Sequence, residues 1–486
     1  MEKSEGYIAE HNNCAGIGTK QKIIETCGRL FYERGYTAVL YDDICEKAEI
    51  NRGLIHYHFK TKANIAHYVD SNLFKEQKEQ IGKKLDSYPQ EIISGYYVYS
   101  RIMLNVTDIH IAKFTQEYFM EFHEVEEVSE TDDYIERKEF VRFMLQEHIE
   151  KYTEEELKRY ICFWMGMQKY LAAAYTCGMF DFTGKELCEW ILRFFYSFWG
   201  YEKNVIDKMI EEVKEVYQKY PVQADNGFHV HIMPEGTEPE DTVTEYVREN
   251  RKQFLEHYEE WEQKRNKKMS RKKKSIYEQC RHMFWENGYE KTTYKEISST
   301  IKISQGLIAY HFGKKINIAY EIYEDCKRQK EEMIQKMKDM FSEEEDFKLG
   351  RLMRAYMLHI KGGEKYEKLL YGMMQEQEYF QLKLLEIESE ARTIEKFNPD
   401  KPMLRRVIIT VIHGIEDELI WKNFQKSYSN TKDGADMLEA DVMIHNCLET
   451  DDIIIWYRKM IEDVKNYLEE WEITIEEDFI LKCRKK

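Results

Sequence analysis

The chain has 486 residues and a net charge of −18, with 33 % charged and 43 % hydrophobic residues, a balance that excludes both a disordered chain and a membrane bundle. Its richest apolar window, Tyr160 to Phe182, is interrupted by Gln168 and Lys169 before it reaches the roughly 18 residues of a membrane span. Six prolines and 23 glycines make about 6 % of the chain against roughly 12 % in average usage, so long helices and an all-α fold are expected. The N-terminus, Met1-Glu-Lys-Ser-Glu, lacks the apolar stretch of a signal peptide, and a cytoplasmic location is expected. Ten cysteines without a CxxC spacing predict reduced thiols. Taken alone, an acidic total argues against nucleic acid, because phosphates repel it.

In chain order, Thr19 is expected to cap a first helix whose apolar stripe is Ile23, Ile24, Cys27, Leu30 and Phe31. Gly35 ends it at a position that favours a left-handed residue. A short second helix follows over Tyr41 to Ala48. After a turn at Glu49-Ile50, Asn51 caps a third helix that ends in Tyr57-His58-Phe59, and Lys62 opens a long fourth. Two short helices joined by a tight turn, with a longer one before them, predict a helix-turn-helix. The segment Lys20 to Ala66 then recurs at Lys273 to Ala319, with a constant offset of 253 and 21 identities in 47 positions. Weaker echoes follow: Gly166 with Gly414 at an offset of 248, and Lys208-Met-Ile-Glu with Lys459-Met-Ile-Glu at 251. The whole half is therefore read as duplicated.

The expected organisation is a helix-turn-helix domain over 1–66, a helical domain over 67–220, a linker over 221–264, a second helix-turn-helix domain over 265–319 and a second helical domain over 320–486. Pro221, Pro234 and Pro239 with Gly227 and Gly236 mark the linker, and Asp241 to Trp261 within it has a helical pattern. His229 and His231 would share one side of a strand there. With no third ligand nearby, no metal site is assigned, and no cofactor is expected.

Copy one, from Ile24 through Leu30-Phe31, Gly35-Tyr36, Asp42-Asp43-Ile44 and Ile50-Asn51-Arg52-Gly53-Leu54-Ile55 to Tyr57-His58-Phe59 and Lys62, resembles the DNA-binding domain of TetR-type transcriptional regulators. Copy two resembles it through Met283-Phe284, Gly288-Tyr289, Thr292-Thr293, Glu296-Ile297, Ile303-Ser304-Gln305-Gly306-Leu307-Ile308, Tyr310-His311-Phe312 and Lys315. The resemblance implies phosphate contacts from a hydroxyl pair before the second helix. Copy two keeps that pair as Thr292-Thr293, whereas copy one has Val39-Leu40. It also implies an aromatic at the place held here by His56 and Ala309, and a turn glycine at the place held by Glu49 and Lys302. Regulators of this type act as two-fold dimers, so the tandem implies a single-chain pseudo-dimer with both reading helices, or a homodimer of it.

The charge divides accordingly. Thr19 to Lys62 carries +2 and Arg265 to Tyr320 carries +9, which leaves −29 for the rest. The run Lys264 to Lys274, with eight basic residues in eleven, is expected to act as a DNA-binding arm. For base readout the candidates are Asn51 and Arg52 in copy one and Ser304 and Gln305 in copy two, with Gly53 and Gly306 allowing close approach. Tyr57 and Tyr310 are assigned to phosphates, and His58 and His311 to packing or backbone bonds. Lys62, Lys314 and Lys315 are assigned to phosphate at the start of the fourth helix. Because the two reading pairs differ, the operator should be asymmetric.

Four helices of bundle length are expected to build the interface: Glu155 to Thr176, Glu186 to Tyr217, Leu404 to Phe424 and Asp451 to Leu468. Phe163, Trp164, Met167, Tyr170, Phe194 and Phe195 could line a pocket for an apolar or aromatic effector, but the same stripe at helical spacing is what a bundle interface needs, and that reading is preferred. Copy two, with Ile408, Ile409, Val411, Ile412, Ile415 and Trp421, reads as more aliphatic. No GxSxG, P-loop or HExxH occurs, so an enzyme is not expected. The function expected is a ligand-responsive repressor on a double-stranded operator. The rival is a fused interaction or ligand-sensing protein that no longer binds an operator.

Overall fold

The computed structural model describes residues 2–121, 153–265, 267–337, 362–376, 378–397, 402–424 and 470–486, with the side chains of 2–17 left out. The helix expected over Asp451 to Leu468, and the side chain of Trp421, lie outside the described residues. The chain divides into two units. One comprises Met1–Ile161, Leu171–Tyr196 and Asn204–Phe254, and the other Cys162–Tyr170, Ser197–Lys203 and Leu255–Lys486.

The first unit begins with α1 (Glu2–Arg34), α2 (Tyr41–Ala48), α3 (Arg52–Phe59) and α4 (Lys62–Leu85). Thr19 is not the cap of α1. The helix runs from Glu2, because no proline between there and Thr19 interrupts its hydrogen-bond ladder. The expected stripe of α1 is buried, with Phe31 stacked on Phe114 at 5.5 Å, and Gly35 turns the chain at φ 81°. There follow α5 (Gln90–Thr107), α6 (Ile109–Glu121), α7 (Glu154–Thr176), α8 (Gly184–Phe198) and α9 (Lys203–Lys219). The segment Glu186 to Tyr217, expected as one helix, is two, broken where Gly200 takes φ 79°. Gly95 leaves room for Tyr196, whose hydroxyl donates to the Glu91 carbonyl at 2.8 Å.

The stretch expected to be a linker holds a hairpin, β1 (Val222–Ala224) and β2 (Val230–Ile232), antiparallel with Val222 opposite Ile232. A helix, α10 (Val243–Arg265), follows where Asp241 to Trp261 predicted one. The second unit then repeats the opening pattern in α11 (Arg271–Lys291), α12 (Tyr294–Ile301), α13 (Gln305–Phe312) and α14 (Lys315–Met337). After these come α15 (Gly363–Met374), α16 (Glu378–Phe397) and α17 (Pro402–Phe424), and a second hairpin closes the chain, β3 (Trp471–Glu476) and β4 (Ile480–Lys485).

Two features of the second unit matter below. Gly166 and Gly414, equivalent by sequence, face each other so closely that a Cβ on either would run into the other's carbonyl oxygen. Aliphatic residues Ile408, Ile409, Val411, Ile412 and Ile415 are buried, and charges are buried among them. Lys383 and Glu386 are 2 % and 1 % exposed and lie 3.3 Å apart. Lys327 adds a second ammonium 3.0 Å from Glu386, Tyr323 donates to it at 2.6 Å, and His413 meets Glu390 at 2.9 Å. Such charges persist in a core only when paired. Burial pushes the Cys280 and Cys326 thiols up to about 12.

Candidate nucleic-acid interface

In each unit the helix after the tight turn, α3 or α13, is set by its turn and its cap. Glu49 and Lys302 hold the turn at φ 53° and 55°, the left-handed geometry that glycine would adopt without strain. Asn51 then accepts from Leu54 N at 3.1 Å, and Ser304 from Leu307 N at 3.2 Å, so each caps its helix. The period of the helix separates two faces. Ile55 with Phe59, and Ile308 with Phe312, are buried, while Arg52, Gly53, His56 and Tyr57, and Gln305, Gly306 and Tyr310, are exposed.

The outward face carries most of the residues named for DNA contact. Tyr57 and Tyr310 are 80 % and 82 % exposed, too much for a core role. The Arg52 guanidinium lies 4.7 Å over the Tyr41 ring, which holds the side chain in place. Tyr41 went unremarked in the sequence, although it is identical to Tyr294 in the second copy. Gly306 has nothing within 4 Å of an added Cβ, so its surface is flat and open, whereas a Cβ added to Gly53 would lie 3.1 Å from its cap, Asn51 Oδ1. His56 bonds through Nδ1 to the Lys60 carbonyl at 3.1 Å. His58 and His311 are partly buried against the tyrosine before each, and burial, helped by Lys20, lowers the pKa of His58.

Several residues assigned to phosphate are engaged within the protein instead. Lys62 points inward, donating to the Tyr36 and Val39 carbonyls at 3.0 and 3.2 Å across the Tyr36 ring. Lys315 does the same with the Tyr289 carbonyl at 3.2 Å, and burial lowers its pKa. Both ammoniums add a bond to the first carbonyl beyond the Gly35 and Gly288 turns, which also accepts from the backbone N–H of Val39 or Thr292. Lys314 is exposed but ion-paired with Glu378. Thr292 is buried, its hydroxyl donating to the Gly288 carbonyl at 2.8 Å. That leaves Thr293, the exposed cap of α12, which exchanges bonds with Glu296. In copy one Val39 is buried and Leu40 is 64 % exposed, and the α2 entry is held by Asp43, which accepts from Leu40 N at 2.7 Å and pairs with Arg34 at 2.8 Å.

The basic run is partly neutralised within the protein. Lys264 pairs with Glu260 at 3.5 Å, Arg265 bonds to Glu324 at 2.7 Å, Lys273 pairs with Glu321 at 2.9 Å and Lys274 with Glu278 at 4.0 Å. Lys267, Lys268, Arg271 and Lys272 stand exposed where Ser270 caps α11. A helix N-terminus repels cations, so this cluster gains most from an anion brought to it.

The remaining candidates separate. Phe163, Trp164, Met167 and Tyr170 belong to the second unit, and Phe194 and Phe195 to the first. Within the second unit the Tyr170 hydroxyl donates to Asp417 and its ring lies 4.8 Å from Phe380, while Phe163 lies 5.9 Å from Phe198. His229 is 2.8 Å from Glu76 and His231 is 3.0 Å from Asp225, so the two imidazoles serve different carboxylates.

Comparison with known proteins gives a consistent result. The family model for bacterial regulatory proteins of the tetR family matches residues 23–69 and again 276–322. Among curated proteins, the HTH-type transcriptional regulator QacR of Staphylococcus aureus (strain Mu50 / ATCC 700699) is 26 % identical over 128 residues, 25 % of this chain. The match spans 65 % of that relative's length.

Proposed function

We propose, from the premise that this chain is a tetR-type regulator with its reading domain in two tandem copies, that it binds a double-stranded DNA operator and represses transcription from it. The observation that carries the reading is the pair of two-faced helices: α3 and α13 each bury Ile and Phe and turn an uncovered face of small, basic or amide and aromatic groups to solvent. Arg52 suits the O6 and N7 acceptors of guanine, and Gln305 the edge of adenine. The two half-sites therefore differ. Gly166 against Gly414 supports a single-chain pseudo-dimer, because equivalent positions meet only at a two-fold axis. No helix among the described residues is long and apolar enough to cross a membrane.

The test is binding to DNA from upstream of the protein's own gene at two salt concentrations. A specific complex whose affinity falls steeply with salt supports the regulator, since each phosphate contact releases counterions. One observation favours the rival, a fused sensor that has left DNA. Copy one lacks both hydroxyls, and copy two spends four cations of its arm on internal carboxylates. Absence of binding at low salt would establish that rival. Response to an effector is read in the same assay, with the aromatic cation tetraphenylphosphonium as probe for the apolar bundle.

A further inference from the structure

The two hairpins occupy equivalent places in the two copies, a correspondence absent from the 47-residue repeat. At the offset of 251, Val222 matches Ile473, Phe228 matches Phe479 and Val230 matches Leu481. Phe228 and Phe479 both stand at the hairpin turn with positive φ, 61° and 57°, and both are buried. Each ring meets the first helix of its own reading domain at equivalent residues: Phe228 lies 5.8 Å from Tyr32, and Phe479 lies 5.1 Å from Trp285. The turn backbone meets the same helix one turn earlier. A Cβ on Gly28 would lie 3.0 Å from the Gly227 carbonyl, and at the equivalent place Arg281 donates to the Asp478 carbonyl. The fourth helix holds the other side: Glu76 accepts from Val230 N at 3.1 Å, and its counterpart Gln329 accepts from Leu481 N at 2.9 Å. Gln329 also donates to the Phe479 carbonyl at 3.3 Å.

We infer that each hairpin is a brace that fixes the first helix of a reading domain against its fourth, and that Phe228 and Phe479 are its positioning residues. The physical argument is economy of contact. A hairpin of two short strands is not stable alone, so it persists by packing. A non-glycine residue at positive φ is retained where the surroundings over-determine it. Here both copies retain phenylalanine in that conformation, although the flanking residues have diverged to Gly227 and His229 in one and Asp478 and Ile480 in the other. What both copies keep is the ring against the first helix, with the hairpin backbone held by the fourth.

The experiment compares the full chain with Phe479→Ala, Phe479→Leu and, as a neighbour of the same turn, Ile480→Ser, which is 40 % exposed. Amide exchange in Phe479→Ala should rise roughly tenfold over Trp471–Lys485 and Arg271–Glu286 while Val222–Ile232 stays as in the wild type, and Phe479→Leu should restore most of the protection. Ile480→Ser should change neither. The brace is refuted if Phe479→Ala leaves Arg271–Glu286 unchanged, or if exchange rises equally throughout the second unit. The consequence for reading rests on the proposed function: affinity for the operator should fall roughly tenfold, and only when the copy-two half-site is intact. Equal loss with that half-site scrambled overturns the positioning role. If the wild type forms no operator complex at low salt, it is the DNA reading that fails, and the exchange result still decides the brace.

Discussion

Glu49 and Lys302 carry side chains into a backbone conformation that costs a non-glycine residue about 1–2 kcal/mol. Glycine would remove that cost and add about 0.5–1 kcal/mol of chain entropy, so Lys302→Gly should stabilise the protein by about 0.5–1 kcal/mol, read from the urea midpoint. A drop in stability would show that Lys302 is held by contacts beyond its backbone. His229 offers a second test, through pH. The hydrogen bond to Glu76 raises its pKa despite partial burial, with Asp225 and Glu25 adding to the effect. A group whose folded pKa is raised stabilises fully below its unfolded value, roughly 6.5, and loses that contribution as pH rises through the folded value. The difference in melting temperature between the wild type and His229→Gln should therefore be largest near pH 5.5 and shrink through neutrality. A difference that grows toward pH 8 would contradict the pairing. Both residues were visible in the sequence, but only one role was: a left-handed turn position follows from the motif, whereas the carboxylate facing His229 comes from a helix 153 residues away.

At the scale of elements, the reading helices were legible because their cap, turn and apolar spacing are local. The hairpins were not. β1 and β2 are three residues each, too short for a period of two to register, and the prolines and glycines around them are those of a linker. In β3 the alternation of Trp471, Ile473 and Ile475 was present, but it sits in a chain whose composition favours helices. The inward lysines failed for the opposite reason: a lysine at a helix start is a good phosphate ligand by type, and only the carbonyls beyond Gly35 and Gly288 show that it is already occupied. The two reading faces then predict separable losses. Arg52→Ala should cost about 1–3 kcal/mol of binding to an operator whose copy-one half-site is intact and relax the preference at one base pair there. Gln305→Ala should do the same for the other half-site. Titration of each variant against operators altered in one half-site at a time checks both, and equal effects on both half-sites would contradict an asymmetric operator.

On the scale of the whole molecule, the question is what tandem fusion adds. Linking two readers turns the second binding event into an intramolecular one and can raise affinity by about 10²–10⁴, provided the geometry lets both engage together. The chain alone supplies the tether; the contact of Gly166 with Gly414 would supply the geometry. Gly166→Leu separates the two contributions. Its side chain must enter the space of a backbone carbonyl, which cannot move aside as a flexible side chain can, and overpacking of that kind costs about 1–3 kcal/mol. The variant should keep the affinity of each reader for an isolated half-site, because α3 and α13 are braced within their own units. It should lose most of the gain from a complete operator, bringing the complete and single-site affinities within about tenfold of each other. Gly414→Leu should behave alike, since the two glycines meet each other. If either variant binds the complete operator as the wild type does, the glycine contact does not set the spacing of the readers, and the pseudo-dimer must be held by the chain elsewhere.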